Sequence, residues 1–122
     1  MSNATFKQVQ PILGTRDLAK AAKFYVERLG FKLAFGDPSI PVNYVGFRRD
    51  AAELHMQFQY EHEMSTLRPR ILVDDPDALY DEYKDKNVFY EGTRLTDTPW
   101  GTREFAIYDL DRNALTFYRQ LN

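Results

Sequence analysis

The chain has no cysteine, which excludes disulfides, thiolate metal sites and cysteine nucleophiles. Its histidines are few, His55 and His62. No apolar run approaches the roughly 20 residues that span a bilayer. The N-terminus has no apolar signal core, so a cytoplasmic location is expected. The balance of 16 basic and 18 acidic residues leaves a net charge of −2, too weak a field to recruit nucleic acid or an acidic membrane surface. The pair Arg48-Arg49 and the alternating Arg68 and Arg70 are too sparse for a polyphosphate patch. Glycines occur singly, with no phosphate-cradling loop. Ser2, Ser39 and Ser65 fall in loops or the tail without an elbow motif, so Ser/His/Asp chemistry has no support.

What remains is a chain of 122 residues, 43% hydrophobic and 28% charged, which reads as one globular domain over residues 1–122. Gln8 to Leu13 is an expected strand ending at Gly14-Thr15. A helix over 17–29 follows, capped by Thr15 or Asp17, with Leu18, Ala21, Ala22, Tyr25 and Leu29 at helical spacing and Gly30 as its stop. Phe31 to Phe35 resumes as a strand, and Gly36 to Pro41 is a loop. Asn43 to Arg49 and Glu53 to Tyr60 form a hairpin. Its second arm alternates Leu54, Met56 and Phe58 against Glu53, His55, Gln57 and Gln59.

The order then repeats. Arg68 to Val73 is a strand, and Asp74 or Asp75 caps a helix over 76–87 with Pro76 in its first turn. Val88 to Gly92 and Arg94-Leu95 lead to a hairpin, Thr102–Tyr108 with Ala114–Arg119. A shift of about 58 positions superposes Ala21 on Leu79 and Tyr25 on Tyr83, and a shift of about 61 superposes Leu54 on Leu115 and His55 on Thr116. The expected fold is α+β: two βαβββ modules, about 5–60 and 68–120, forming an open, barrel-like cleft with helices outside. Leu54, Met56, Phe58, Phe105, Ile107, Leu115 and Phe117 should face the helices. Gln8, Gln10, Tyr44, Arg48, His55, Gln57, Gln59, Glu104, Tyr108, Thr116 and Tyr118 should line the cleft.

The single tryptophan, Trp100, stands between Pro99 and Gly101 at a strand entry. Phe105 and Ile107 already fill the core side of that strand, so Trp100 is expected as a flat ligand platform. The acidic string Asp74-Asp75-Pro76-Asp77 suits a helix N-terminus. His62 between Glu61 and Glu63 reads as a solvated loop.

Three segments carry a family resemblance: Pro11 to Leu18 leading to Phe24-Tyr25 and Arg28-Leu29-Gly30-Phe31; Asp77 to Tyr83; and Pro99-Trp100-Gly101-Thr102-Arg103-Glu104-Phe105-Ala106 with Asp109 and Asn113. They resemble the bleomycin-resistance branch of the glyoxalase/bleomycin resistance/dioxygenase (vicinal oxygen chelate) superfamily. The resemblance implies a homodimer that holds ligand in two clefts where one subunit's strands face the other's. Metal-dependent relatives place His, Gln or Glu ligands on the inner strands, at positions matched here by Gln10, His55, Arg68 or Arg70, and Thr116. A divalent ion wants convergent histidines or carboxylates, and arginine repels it. His55 and Gln10 are weak candidates, and no metal or cofactor is expected.

The reading is a non-catalytic protein that sequesters a bleomycin-type, flat and cationic antibiotic and so confers resistance. The ligand-binding candidates are Phe35, Asp37, Tyr44, His55, Gln57, Trp100, Glu104 and Tyr108. Phe35 and Trp100 would stack on the ligand, and Asp37 and Glu104 would face its positive groups. No residue is assigned a catalytic role. The alternative is a metal-dependent lyase or transferase of glyoxalase or fosfomycin-resistance type. Neither nucleic acid nor membrane is an expected partner.

Overall fold

A computed structural model describes residues 2–122. Strand β1 (Ile12–Thr15) leads into helix α1 (Leu18–Lys23), continued by a π-helical turn over Phe24–Arg28. Strands β2 (Lys32–Phe35), β3 (Tyr44–Arg49) and β4 (Ala52–Phe58) complete the first half. A 3-10 turn at Glu61–Glu63 connects it to β5 (Arg70–Leu72), α2 (Pro76–Tyr83), β6 (Thr96–Asp97), β7 (Thr102–Tyr108) and β8 (Ala114–Gln120).

The sheets run β1-β4-β3-β2 and β5-β8-β7-β6, each with its first strand parallel to its last and the other pairs antiparallel. The duplicated βαβββ order is present, as two separate mixed sheets that do not close into a barrel. Among the described residues no helix is long and apolar enough to cross a membrane.

Local chemistry explains the element ends. The Asp17 carboxylate accepts from Lys20 N at 3.0 Å, and the Asp75 carboxylate from Ala78 N at 3.0 Å, so each helix has a side-chain N-cap. Gly30 follows α1 with φ +80°, and a Cβ there would lie 2.7 Å from an Arg49 guanidinium nitrogen. Glycine is therefore required at that stop.

Two expectations need correction. The first strand begins at Ile12, not Gln8; Pro11 offers its carbonyl to His55 N, and Gln8 lies in an exposed segment with no strand assignment. Helix α2 ends at Tyr83 rather than 87, where the last amides turn to i−3 carbonyls and Asn87 takes φ 58°. The connection from α2 to the hairpin carries no strand at Val88 to Gly92, and the short β6 edges the second sheet instead. Val88 is buried and Phe89 packs on Tyr80 and Phe105, so the segment supplies core side chains without a ladder.

One hydrophobic cluster runs through both halves, from Leu13, Tyr25 and Phe47 to Tyr83, Phe105 and Phe117. The two equivalent tyrosines clasp the halves reciprocally. Tyr25 donates its hydroxyl to Asp109 Oδ2 at 2.7 Å, and Tyr83 donates to the Leu29 carbonyl at 2.7 Å. Asn113 adds a bond from its side-chain amide to the Gly14 carbonyl at 3.1 Å. Burial, reinforced by the Asp109 charge, pushes the Tyr25 hydroxyl well above its ordinary pKa, and burial raises the Asp109 carboxyl against the bonds it accepts from Tyr25 and Asn113. Leu54, Met56, Phe105, Ile107, Leu115 and Phe117 are buried as expected, and Phe58 is half-buried. The opposite face of each sheet is turned away from this core.

Candidate functional site

On the first sheet, register places Tyr44 opposite Gln57, Gly46 opposite His55 and Arg48 opposite Glu53, all on the face turned away from the core. Phe35 joins them through an irregularity between Leu33 and Phe35 that sets it opposite Gly46. Its ring lies over that glycine, where a Cβ would come within 2.1 Å of it. Phe35 stacks near Tyr44 with centroids 6.0 Å apart and meets the His55 ring edge-on at 5.0 Å.

A hydrogen-bonded chain runs beneath these rings. The Tyr44 hydroxyl bonds His55 Nδ1 at 2.6 Å, and His55 Nε2 bonds a Glu53 carboxylate oxygen at 2.7 Å. The other Glu53 oxygen accepts from Arg48. The His55 bond, aided by the Arg48 charge, holds the Glu53 carboxyl below its ordinary value.

On the second sheet, Glu104, Thr116 and Tyr118 share the equivalent face, with Arg70 opposite Thr116 on the edge strand. Glu104 Oε1 accepts from Thr102 Oγ1 at 2.6 Å, Arg70 Nη2 at 2.9 Å and Trp100 Nε1 at 3.3 Å. Burial alone would raise this carboxyl; the donors and the Arg70 charge outweigh it and hold the pKa below its ordinary value. The Arg70 guanidinium also lies over the Tyr118 ring, 4.4 Å from its centroid.

Phe35, Tyr44 and His55 thus form one cluster, with Gln57 exposed beside it, and Trp100 with Glu104 forms another on the other sheet. Tyr108 sits apart from both, against Tyr90 at 4.8 Å and under Arg112 at 4.2 Å. Asp37 is exposed in the loop after β2, where one carboxylate oxygen accepts from both the amide and the hydroxyl of Ser39, which lower its pKa. Trp100 is 66% exposed and outside the core. Sequence reasoning missed Glu53, Thr102 and Tyr90. The alternation that singles out His55 also places Glu53 on its face, whereas Tyr90 lies in a connecting segment with no periodicity to orient it.

The donors do not fit a divalent metal. The residue opposite His55 on β1 is Ile12, in the place Arg70 takes opposite Thr116, so Gln10 lies before the strand and its amide donates to the Glu53 carbonyl at 3.0 Å. Both His55 ring nitrogens are engaged by Tyr44 and Glu53. Arg70 brings a permanent cation to the same position of the second sheet. Among the described residues no three His, Asp or Glu side chains converge as a metal-holding group.

Comparison with known proteins finds the same fold among bleomycin-binding proteins. A bleomycin resistance protein from Geobacillus stearothermophilus is 29% identical over 125 residues, covering 91% of this chain and 95% of that protein. The bleomycin-binding protein of bleomycin-producing Streptomyces verticillus, solved with copper(II)-bleomycin, is 28% identical with a TM-score of 0.79, covering 98% of each chain. The bleomycin resistance determinant of transposon Tn5 shares the fold at 23% identity and TM-score 0.79, covering 94% of this chain and 98% of that one. The family model for the glyoxalase/bleomycin resistance protein/dioxygenase superfamily matches residues 6–117. With two βαβββ modules and that match over nearly its whole length, the chain belongs to the glyoxalase/bleomycin resistance protein/dioxygenase superfamily.

Proposed function

We propose that this protein binds a bleomycin-type antibiotic stoichiometrically, without chemistry, and protects the cytoplasm of its cell by sequestration. The similar proteins named for bleomycin resistance and bleomycin binding support the ligand class. The observation that carries the reading is Trp100: the largest ring in the chain stands 66% exposed, fixed by a hydrogen bond rather than by core packing. Large amphipathic rings displayed in this way stack on planar ligands.

The functional unit is a homodimer. The clusters around Phe35 and Trp100 lie on different sheets of one chain, and β5 is an exposed edge strand, with Leu72 65% exposed. A second copy that sets the first sheet of one chain against the second sheet of the other completes two clefts and covers that edge.

Charge contributes less to this recognition than the sequence suggested. Glu104, expected to face a cationic group, spends its carboxylate on Arg70, Thr102 and Trp100, which leaves Asp37 as the exposed carboxylate of the candidate set. The metal-dependent lyase or transferase reading meets the unsuitable donors described above. Expression of the gene in a bleomycin-sensitive bacterium is the test. Growth at otherwise lethal bleomycin is expected from the wild-type chain and reduced growth from Trp100→Ala. Unchanged sensitivity with the soluble wild-type protein present would overturn the proposal.

A further inference from the structure

Trp100 presents a mechanical question. The turn that carries it is fixed through its backbone: Thr98 N donates to the Thr102 carbonyl at 2.7 Å, and Leu121 N to the Gly101 carbonyl at 2.8 Å. Those bonds set the indole's point of attachment and leave its side-chain torsions free. Gly101 takes φ +87° with open space where a Cβ would stand, so the turn beside the ring is solvent-facing. At 66% exposure the ring has little packing to select a rotamer. The polar contact that sets its angle is the bond from Nε1 to Glu104 Oε1.

Glu104 is itself well held. Its side chain is 15% exposed, it projects from the middle of a paired strand, and Thr102 and Arg70 anchor the same oxygen that receives the indole. Arg70 is in turn laid over Tyr118. One carboxylate therefore fixes two flat groups on the same face, an indole and a guanidinium.

We propose that Glu104 is the positioning residue of the ligand face: it orients the Trp100 indole and the Arg70 guanidinium for stacking and does not serve as counter-charge to the ligand. This rests on the antibiotic-binding reading above and narrows the ligand to one recognised through a planar unsaturated system. An acid whose charge is already matched by an adjacent arginine gives a ligand little long-range attraction, so affinity depends weakly on ionic strength. Pre-oriented rings bind more tightly because less freedom is lost on association.

The test uses the fact that Trp100 is the only tryptophan. Time-resolved fluorescence depolarisation of the ligand-free protein reads ring mobility on the nanosecond scale, and calorimetric titration with metal-free bleomycin at low and high salt reads affinity. Far-UV circular dichroism confirms that each variant is folded. Glu104→Ala is expected to enlarge the fast depolarisation and weaken bleomycin binding by about tenfold, the effect of losing one charge-assisted contact. Glu104→Gln retains an acceptor oxygen for the indole, so its depolarisation should stay close to wild type and its affinity loss should be the smaller of the two.

Unchanged depolarisation in Glu104→Ala would overturn the proposal. So would equal affinity losses in both variants together with a steep salt dependence in the wild type, because that pattern assigns Glu104 to charge. If Glu104→Ala does not fold, Glu104→Gln carries the test through its affinity and salt dependence: a small affinity loss with an unchanged, weak salt dependence supports positioning, and a large loss that removes a steep wild-type salt dependence overturns it. If the wild type does not bind bleomycin, the functional reading fails while the ligand-free depolarisation still decides the positioning role.

Discussion

At the scale of single residues, Trp100 concentrates the functional claim. Stacking contributes roughly 0.5–1.5 kcal/mol beyond apolar burial, itself about 25 cal/mol per Å². Trp100→Ala is therefore expected to weaken bleomycin at least about tenfold by calorimetry. It should shift the denaturation midpoint little, whereas removing a core aromatic costs about 3–5 kcal/mol. A large stability loss with unchanged affinity would return the ring to the core. The exposure of Trp100 was legible because Pro99 and Gly101 interrupt the alternation that Phe105 and Ile107 then resume. The commitment of Glu104 was not: Arg70 is 34 positions away, and only the pairing of β5 with β8 and of β8 with β7 brings the two together.

At the scale of elements, the shift in register between β2 and β3 decides what the first sheet displays. It sets Phe35 opposite Gly46, and the bare glycine leaves room for the ring to lie over it, stacked near Tyr44 and edge-on to His55. Gly46→Ala should leave the hairpin intact, since no positive φ requires glycine there. The added methyl should displace the Phe35 ring and weaken bleomycin several-fold, as expected when one aromatic contact is lost. Chemical-shift changes confined to Phe35, Tyr44 and His55 are the accompanying signature, and unchanged affinity would remove Phe35 from the site. Both hairpins were readable from period-two alternation. The irregularity at Phe35 was not, because it depends on the partner strand. Nor was the core role of Val88 and Phe89, which pack without a ladder.

At the scale of the molecule, the halves are joined by polar ties around a shared core. Arg49 of β3 makes a two-pronged ion pair with Glu82 of α2, each bond 2.8 Å long, and this bond with the Arg49 charge holds the Glu82 carboxyl below its ordinary 4.5. With the folded value lowered, the unfolded chain binds more protons in that interval, so the tie stabilises fully above about 4.5 and fades as pH falls through the folded value. Asp109 acts in the opposite sense, since its raised value makes the folded state take up its proton first. Glu82→Gln should lower the melting temperature near neutrality, and its gap from wild type should close on acidification. A gap independent of pH would contradict the tie. The duplication was legible in Tyr25 and Tyr83, but their reciprocal bonds to Asp109 and Leu29 required the assembled fold.

The proposed assembly of two such chains around a ligand left unaltered is most directly tested by native mass spectrometry of the protein mixed with metal-free bleomycin. A dimer carrying two ligands of unchanged mass is the expected species. A ligand-bearing monomer, a dimer that takes up no bleomycin, or a ligand returned with altered mass would contradict sequestration in shared clefts.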